Sequence, residues 1–349
     1  MPSLSTTPCA ANDATTPTPS ANRANDRVAH AFRDRLARAT LALTAIGLVM
    51  QWFVRDRWSP LAVVYYALPP AGVFAVNLAA VLTARGTLRR VALMGLPAAA
   101  AWWCHMSTPW SFVFEPPRRD LIPSESPAER HGAHKLLLWN VARGVHGWAA
   151  LADRIRSENA DLVVLVEAEP TGGARLAFWR AALPEYHVLP ADGGLIVAAK
   201  GRLRRRMRRH LDAGCIVGLF DVRLNDATEL QLVAVDIKSR PTFDRGPALR
   251  ALGRLVERLT RTGPPVLLAG DFNTPLGSVH FIPIRQFLDN AAERAGRGWL
   301  DTWPVPFPLM ALDQVWLEPP LTAVRRTAGW SRLSDHRPVR VFFRSTSSP

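Results

Sequence analysis

The stretch 266-VLLAGDFNTP-275 combines a short apolar run with a polar segment that follows it directly. Residues 266–270 have the composition of a strand that is covered on both faces of its sheet. Asp271 and Asn273 come next at i and i+2, so that both side chains point to the same side of an extended chain. The stretch therefore predicts a buried strand that delivers a carboxylate and a carboxamide at its C-terminal end. Taken alone, it is also typical of a strand ending in a turn, where Asp and Asn bond to nearby backbone.

Other apolar strands of the chain also carry polar residues at one end. Two strands end in a polar residue, and two begin with one or directly follow one. These residues are Asn140 and Glu167 at strand ends, Asp313 at a strand start, and Asp335 with His336 just before the last strand. If the second pair of strands runs antiparallel to the others, all of these groups meet at one rim.

A rim of this composition has a clear chemical use. Carboxylate and carbonyl oxygens are the preferred ligands of Mg²⁺ and Mn²⁺, and such an ion polarises a phosphoryl oxygen. A histidine that is oriented by a carboxylate can move a proton. Each group also has a structural explanation by itself, since Glu167 can form a salt bridge, Asn140 can open a turn, and 334-SDH-336 can precede a strand as a turn. Their shared placement favours a metal-dependent site.

Strand and helix patterns alternate from residue 135 onward and predict an α/β domain. Strand-like runs occur at 135–141, 161–167, 186–189, 194–200, 214–222, 230–237, 265–270, 312–317 and 338–343. Helical patterns occur at 148–159, 170–183, 245–262 and about 278–289. The strand runs between 186 and 237 are spaced like hairpins, which indicates mixed sheets. Two sheets packed together and covered by helices fit this set of elements.

Six short motifs lie in a fixed order across this domain. They are 138-LWNV-141, 166-VEAEP-170, 270-GDFNTP-275, 301-DTW-303, 312-LDQVWL-317 and 334-SDHRPV-339. The set resembles the endonuclease/exonuclease/phosphatase superfamily, whose metal-dependent phosphodiesterases include DNase I-like nucleases, sphingomyelinases and inositol polyphosphate phosphatases. The resemblance implies a four-layer α/β/β/α sandwich of the DNase I-like kind. It also implies a site for Mg²⁺ or Mn²⁺.

The resemblance assigns a role to each residue of the rim. Glu167 is similar to the principal metal ligand, with Asn140 beside it as a ligand and substrate contact, and Asp335 is a further candidate ligand. Asp271 resembles the residue that orients or activates the attacking water, and Asn273 resembles its phosphate-contacting neighbour.

The two remaining catalytic candidates belong to the last motifs. His336, paired with Asp335, resembles the residue that touches the scissile phosphate or transfers a proton. Asp313 is similar to the acidic residue that supports this histidine or a second metal position.

One position departs from the family pattern. Many members have a histidine in the strand before the long helix, but the corresponding run here is 234-AVDIKSRP-241, with Asp236 at that place. An aspartate does not reproduce a cationic contact with phosphate. Lys238 and Arg240 are the nearby residues that could supply substrate binding instead.

The chain is strongly basic, with 43 Lys and Arg against 29 Asp and Glu and a formal net charge of +14. Only three of the basic residues are lysines, so a coding bias towards arginine explains part of this excess. A phosphate-rich partner or an anionic membrane is the functional explanation. The run 202-RLRRRMRRH-210 is predicted to be a hairpin loop, either solvated or in contact with nucleic-acid phosphates or anionic lipid headgroups.

The N-terminal third has a different composition from the rest. Residues 1–35 are predicted to be a disordered cytoplasmic tail, and residues 36–110 a membrane module with three transmembrane helices. The predicted helices are Leu36–Val54, Leu61–Leu82 and Val91–Trp110. A buried helical hairpin of a soluble protein is the alternative. Residues 111–133 are predicted to be a linker and residues 134–349 the catalytic domain.

Arginine distribution predicts the orientation of this module. Five arginines lie between residues 23 and 38 and three in the second loop, against two in the first loop. An excess of arginine marks the cytoplasmic side. Three crossings then place the catalytic domain outside the cytoplasm, in a multi-pass protein of the bacterial inner (cell) membrane.

The sequence thus predicts a membrane-anchored, divalent-metal-dependent phosphoesterase. Its substrate is a phosphodiester or phosphomonoester, in a nucleic acid or in a phospholipid headgroup. The alternative is a catalytically weakened membrane protein that binds nucleic acid or anionic lipid. Asp236 is the residue that motivates this alternative.

Overall fold

The computed structural model describes residues 19–108, 132–168, 174–211 and 214–345. The N-terminal unit, residues 19–108, consists of helices α1 (Pro19–Val49), α2 (Ser59–Ala67), α3 (Pro70–Thr83) and α4 (Gly86–Ser107). A π-helical segment, Met50–Val54, extends α1. Residues 19–35 of the predicted disordered tail are therefore helical. Almost all of the predicted linker, and residues 1–18 of the tail, lie outside the described residues.

The three-crossing prediction for this unit is wrong in number. Among the described residues, one helix, Val28–Val54, is long and apolar enough to cross a membrane. A second candidate exists only if α2 and α3 are counted as one span, and these two helices are bent by 63°. The bend has a physical cause in Pro69 and Pro70, which lack the N–H groups that would continue the helix.

The third predicted span, in α4, is not one of these candidates. The helix carries Arg89 and Arg90 near its start and Pro97 in its interior. Charged residues shorten the apolar length that a helix can offer to a bilayer. The prediction of three transmembrane helices is therefore corrected to one candidate span, or two with the bent pair.

The large domain contains twelve described strands and five further helices. The strands are β1 (His134–Asn140), β2 (Leu162–Val166), β3 (His187–Pro190), β4 (Ile196–Ala199), β5 (Gly201–Leu211), β6 (Cys215–Leu224), β7 (Glu229–Ile237), β8 (Val266–Asp271), β9 (Asp289–Asn290), β10 (Asp313–Leu317), β11 (Leu321–Ala328) and β12 (Val339–Ser345). The helices are α5 (Trp148–Glu158), α6 (Ala174–Ala182), α7 (Arg245–Thr260), α8 (Ile282–Arg285) and α9 (Ala291–Ala295).

These strands form two six-stranded mixed sheets. The first has the order β11-β12-β1-β2-β4-β3 and the second the order β5-β6-β7-β8-β10-β9. The pairs β1–β2 and β7–β8 are parallel, and the other described pairs are antiparallel. This confirms the prediction of mixed sheets. It also gives each sheet a parallel central pair, whose C-terminal ends lie at the same edge.

Three apolar layers hold the domain together. Inward-facing residues of both sheets, such as Leu138 and Leu232, form the core between the sheets. Helices α5 and α6 cover the outer face of the first sheet, where Ile155 and Trp179 are fully buried. Helix α7 covers the outer face of the second sheet through residues such as Leu252. The predicted four-layer α/β/β/α arrangement is thus confirmed for the large domain.

Sequence patterns explain why these elements form. The run LVVLV of β2 is buried at every position, as expected for a strand that is covered on both faces. Helix α7 buries one face, and its N-cap residue Asp244 accepts a hydrogen bond from the N–H of Gly246. Each predicted strand run overlaps one observed strand.

Two sequence-based expectations about local structure are wrong. The arginine run 202–210 is not a loop but most of β5, an edge strand paired along its length with β6. Within the run Leu203 is buried, whereas Arg204 and Arg206 are exposed and lie near Asp221. The helix predicted at 278–289 is broken into a 3-10 turn, the short α8 and the two-residue β9.

Candidate active site

The ends of four neighbouring strands bring the predicted rim residues together. Asn140 is the last residue of β1, and Glu167 directly follows β2. Asp271 ends β8 and Asp313 begins β10, and the antiparallel register pairs these two residues across the sheet. His336 lies in the loop before β12. The opposite strand directions thus place all five groups on one side of the sandwich.

Asn140 connects two carboxylates of this cluster. It is 1% exposed, and its Nδ2 donates to Asp271 Oδ2 at 3.0 Å and to Glu167 Oε1 at 3.4 Å. Its Oδ1 accepts a hydrogen bond from the N–H of Ala142 at 3.0 Å. A neutral carboxamide therefore lies between two acids and supplies donors without adding charge.

Glu167 is held by an unusual backbone and by an arginine. Its φ of 53° lies in the left-handed region, as do the φ angles of Ala142 and Arg143 in the facing turn. Non-glycine residues adopt this region rarely and cluster at functional sites. Arg143 Nε lies 3.1 Å from Glu167 Oε2, and the backbone N–H of Arg143 donates to the backbone carbonyl of Glu167 at 3.1 Å. The half-exposed carboxylate is thus fixed between Asn140 and Arg143.

His336 lies between two buried acids. Its Nδ1 is 2.8 Å from Asp313 Oδ2, and its Nε2 is 3.8 Å from Asp271 Oδ2. Burial alone lowers the pKa of His336, but the charges of Asp313 and Asp271 outweigh burial and raise this pKa to about 10. The imidazole is therefore protonated at neutral pH. Burial and the charge of Asp313 raise the pKa of Asp271 to about 6.

Two hydroxyl groups that were not among the predicted site residues hold the backbone of His336 and of Asp313. Ser334 Oγ donates to the Asn140 carbonyl at 2.7 Å and accepts from the N–H of His336 at 3.0 Å. Thr302 Oγ1 accepts from the N–H of Asp313 at 3.2 Å. Both hydroxyls belong to the quoted motifs 334-SDH-336 and 301-DTW-303. In the sequence, the charged residues beside them are the stronger indication of a site.

Asn273 has a structural contact that its predicted role did not include. Its Nδ2 donates to the carbonyl of Ile237 at 2.8 Å, and its N–H donates to Asp271 Oδ1 at 2.8 Å. Arg245 Nε donates to the Asn273 carbonyl at 2.6 Å. The residue thus ties the loop after β8 to the end of β7 and to the start of α7. Its φ of 47° is again in the left-handed region.

Asp236, the residue at the expected histidine position, belongs to the same cluster. It pairs in parallel register with Asp271 across β7 and β8. Burial and the charges of Asp271 and Glu167 raise the pKa of Asp236 to about 8. Its carboxyl group is therefore largely protonated at neutral pH and can donate a hydrogen bond. The signal that could have found this role is its alignment with Asp271 at a strand end.

The remaining predicted residues lie further out. Asp335 is exposed, and its Oδ2 accepts from Trp303 Nε1 at 3.1 Å. Lys238 and Arg240 are exposed after the end of β7, and Lys238 Nζ lies 6.0 Å from the centroid of the Phe243 ring. Within the described parts of the chain, neither of these two side chains forms an ion pair with the acidic cluster.

The donor set fits a hard divalent cation. One ligand atom each of Asp271, Asp313 and His336 lies within 4.8 Å of the others, and all three residues are buried. Because His336 is protonated, the oxygens of the two aspartates are the atoms of this group that can bind a cation. Asp313 Oδ1 is buried and has no hydrogen-bond partner, so it is an oxygen without compensation. Glu167 adds a half-exposed carboxylate at the open side of the cluster. Oxygen-rich sites of this kind suit Mg²⁺ or Mn²⁺.

Comparison with known families agrees with the fold. The sequence profile of the endonuclease/exonuclease/phosphatase family matches residues 137–336, more than half of the chain. Among relatives by sequence, "Uncharacterized protein YbhP" of Escherichia coli (strain K12) is 37% identical over 83 residues. This match covers 22% of the present chain and 32% of that protein, so it spans about a third of the relative's length.

Solved structures with the same fold have low sequence identity to this chain. Truncated Caenorhabditis elegans TDP2 gives a TM-score of 0.51 at 17% identity, covering 61% of this chain and 98% of that chain. A functionally unknown conserved protein from Enterococcus faecalis V583 gives a TM-score of 0.51 at 16% identity, and the match covers 60% of this chain and 99% of that chain. Bacteroides thetaiotaomicron VPI-5482 mannosyl-6-phosphatase Bt3783 gives a TM-score of 0.50 at 16% identity, and the match covers 60% of this chain and 99% of that chain. At these identities the similarity shows the fold alone.

Proposed function

The chain belongs to the endonuclease/exonuclease/phosphatase family, and on this premise we propose that it is a divalent-metal-dependent phosphoesterase attached to a membrane by its N-terminal unit. The observation that carries the proposal is the continuous polar chain from Asp313 through His336 and Asp271 to Asn140 and Glu167. Structural ion pairs do not need a half-exposed carboxylate at the open end of such a chain. Hydrolysis of a phosphoester does, because a cation and a phosphate must enter there.

His336 and Asp271 supply the proton chemistry in this proposal. An imidazolium held by Asp313 donates a hydrogen bond to a phosphoryl oxygen and stabilises the charge that develops there. Asp271 Oδ2, fixed by Asn140, orients a water and accepts its proton. Asn273 keeps Asp271 in place through its backbone N–H, in addition to the phosphate contact suggested by the resemblance.

Glu167 and Asn140 are the residues proposed to hold Mg²⁺ or Mn²⁺, with Asp335 as the third candidate. When bound, the ion supplies positive charge to the phosphoryl group. Asp335 also accepts from the indole of Trp303, whose ring centroid lies 6.5 Å from that of His336. Asp335 therefore positions Trp303 at the edge of the site as well. Lys238 and Arg240 are proposed as outer contacts for substrate phosphates, because both cations are exposed in the segment that follows β7, the strand that carries Asp236.

The substrate is proposed to be a phosphodiester or phosphomonoester of a nucleic acid or a phospholipid headgroup. One structural relative is named a mannosyl-6-phosphatase, so the fold is used for phosphomonoesters in at least one protein. Attachment to a membrane supports the lipid substrate, and the net charge of +14 supports a phosphate-rich substrate of either kind. No contact of the described residues distinguishes the two classes.

The catalytic domain is proposed to lie outside the cytoplasm. The arginine-rich start of the candidate span Val28–Val54 favours a cytoplasmic N-terminus. The loop after this span, Arg55–Trp58, contacts the catalytic domain directly. The domain therefore lies on the side that this loop reaches. A periplasm-dependent reporter fused after Pro349 should be active, and a reporter that is active only in the cytoplasm would reverse this orientation.

Hydrolysis assays on the full-length protein in detergent test the activity. Bis(p-nitrophenyl) phosphate, p-nitrophenyl phosphate, DNA, RNA and phospholipid vesicles serve as substrates, with Mg²⁺, Mn²⁺ or EDTA. We expect metal-dependent turnover of at least one substrate, and its loss in Glu167→Gln. Asp153→Asn is the control, because Asp153 is exposed and, among the described residues, pairs only with Arg156 on the surface. Salt-sensitive binding of DNA or anionic vesicles without any hydrolysis would instead support the weakened binding protein.

A further inference from the structure

An aspartate of the N-terminal unit is buried where that unit contacts the catalytic domain. Asp56 lies in the loop between the π-helical segment and α2 and is 1% exposed. Its carboxylate accepts hydrogen bonds from Ser278 Oγ and from the N–H of Val279, the latter at 3.1 Å. Its backbone carbonyl accepts from His280 Nε2 at 2.8 Å. Three consecutive residues of the catalytic domain therefore bind one residue of the N-terminal unit.

These contacts are specific. A buried carboxylate is costly unless hydrogen-bond donors compensate it, and here three donors converge on Asp56, because Tyr66 Oη also donates to it at 3.0 Å. Arg55 Nη1 adds a hydrogen bond to the carbonyl of Gly277 at 3.3 Å. Generic apolar packing between two units would not require an acid at the centre. The Arg55–Trp58 loop is thus recognised residue by residue.

A second path leads from the same aspartate to the candidate active site. Tyr66, held by Asp56, lies under the guanidinium of Arg245, with 4.5 Å from Cζ to the ring centroid. Arg245 is buried and donates through Nε to the carbonyl of Asn273 at 2.6 Å. Asn273 in turn donates its N–H to Asp271 at 2.8 Å. Contacts therefore run without a gap from Asp56 to the proposed water-orienting carboxylate.

The two paths hold the two ends of one loop. This active-site loop, residues 273–280, follows β8 directly and carries the positive-φ residue Asn273. Arg245 fixes its first residue, and Asp56 fixes its last three. Residues in sparsely populated backbone conformations persist where the surroundings determine them. Here a large part of those surroundings comes from the N-terminal unit.

The end of α4 makes a separate contact with the same side of the domain. The N–H of Leu300 donates to the carbonyl of Ser107 at 2.8 Å, and the rings of Trp103 and Trp299 meet edge to face with centroids 5.3 Å apart. Thr302, which anchors the backbone of Asp313, is two residues beyond Leu300. The N-terminal unit thus reaches the site through a second segment.

We propose that Asp56, Tyr66 and Arg245 are positioning residues of the phosphoesterase site, so that the N-terminal membrane unit completes the active site as well as attaching it. This inference rests on the proposed function. Asp56 acts on the site only through the loop 273–280. Its removal should therefore lower kcat strongly, because Asp271 and the attacking water are misplaced, and should raise KM less, because Asn273 is the one proposed phosphate contact that lies in this loop.

The test uses the full-length protein and two independent measurements. Hydrogen–deuterium exchange reports whether the amides of residues 273–280 lose protection in Asp56→Asn, which keeps the size of the side chain but replaces an acceptor oxygen by a donor. Steady-state hydrolysis of bis(p-nitrophenyl) phosphate gives kcat and KM. Tyr66→Phe, which keeps the ring under Arg245, is the milder variant that protects the test against a failure of Asp56→Asn to fold. Asp153→Asn is the matched control.

We expect faster exchange at Val279 and Asn273 in Asp56→Asn, a kcat lower by about tenfold or more, and a change in KM that is smaller than the change in kcat. Tyr66→Phe should change kcat in the same direction by less. Unchanged exchange across residues 273–280 would overturn the docking, and faster exchange with a wild-type kcat would overturn the positioning role. If the wild-type protein hydrolyses no substrate, the proposed function fails. In that case the exchange at Asn273 still decides whether Asp56 controls the loop.

Discussion

His336 Nδ1 lies 2.8 Å from Asp313 Oδ2, and both side chains are buried at the point where β10 begins and the loop before β12 passes. The hydrogen bond joins two elements that are far apart in sequence. It fixes which imidazole nitrogen faces inward and leaves Nε2 towards Asp271. An imidazole that is held in this way keeps one orientation and one protonation state.

The first prediction concerns the charge of this imidazole. Asp313→Asn removes the largest of the opposite charges that raise the pKa of His336 to about 10. We expect this pKa to fall in the variant, because the burial that lowers it remains. Titration of the His336 ring by NMR measures the change. An unchanged pKa would show that Asp313 does not set the protonation state of the histidine.

The second prediction concerns stability and pH at Asp236. Its folded-state pKa of about 8 lies above the ordinary value of 3.8, so the folded protein binds more protons than the unfolded chain between these values. The contribution of Asp236 to stability therefore falls as pH rises from about 4 to 8. Asp236→Asn cannot ionise and should lose this dependence. It should thus gain stability relative to the wild type as pH rises.

Denaturant unfolding in EDTA at several pH values measures this difference. Glu185→Gln, at an exposed acid, is the control and should keep the wild-type pH dependence. A difference between wild type and Asp236→Asn that stays constant from pH 4 to 8 would contradict the assignment of a raised pKa to Asp236.

The third prediction concerns the metal. Glu167→Gln removes the charge of the half-exposed carboxylate while the hydrogen bond to Asn140 can still form. We expect Mn²⁺ affinity to fall by about tenfold or more, since hard cations depend on charged oxygen ligands. Calorimetric titration of Mn²⁺ into the full-length protein measures binding without reference to activity. Equal affinity in both proteins would remove Glu167 from the proposed metal ligands.

The fourth prediction concerns the core between the sheets. Phe220 is fully buried there, whereas Phe307 is 77% exposed. Phe220→Ala should lower the free energy of unfolding by about 3–5 kcal/mol, because it leaves a cavity. Phe307→Ala should change it by less than about 0.5 kcal/mol. Similar losses in both variants would mean that the two sheets do not pack as described.

The large domain could be predicted well because its signals are local. Solid apolar runs such as the one in β2 identify strands that are covered on both faces, and polar residues at their ends identify the rim. The edge strand β5 differs from the predicted loop because an exposed edge strand can carry consecutive arginines and buries few apolar residues, such as Leu203, that would mark it as a strand. The short helix α8 could not be separated from a longer helical pattern by periodicity alone.

The N-terminal unit could be predicted less well, for a physical reason. Apolar composition identifies helices, but it does not show where a helix bends or what its ends contact. The bend between α2 and α3 lies at Pro69 and Pro70, but the residue types do not give its angle of 63°. The burial of Asp56 against Ser278 joins segments more than two hundred residues apart, and nothing near either residue in the sequence indicates it.

The same limit applied within the site. In the sequence, Asp236 indicates only that the expected histidine is absent. Its raised pKa could not be predicted, because it depends on two other carboxylates that the fold brings close. The sequence predicts a phosphate contact or a local turn bond for Asn273, and its amide bonds instead to the backbone of Ile237, 36 residues away. Residue types indicated the chemistry of the rim, and the contacts of each side chain became visible only with the strands in register.

The turnover number of His336→Gln decides whether a protonated His336 acts in phosphoester hydrolysis. Glutamine can keep a hydrogen bond to Asp313, but it cannot carry the extra proton that gives the imidazole its positive charge. With full-length protein, Mg²⁺ and the best phosphoester substrate, we expect kcat to fall by about 10²–10⁴-fold relative to wild type, while Asp153→Asn retains full activity. A His336→Gln protein that hydrolyses the substrate at the wild-type rate would contradict the proposed phosphoesterase site.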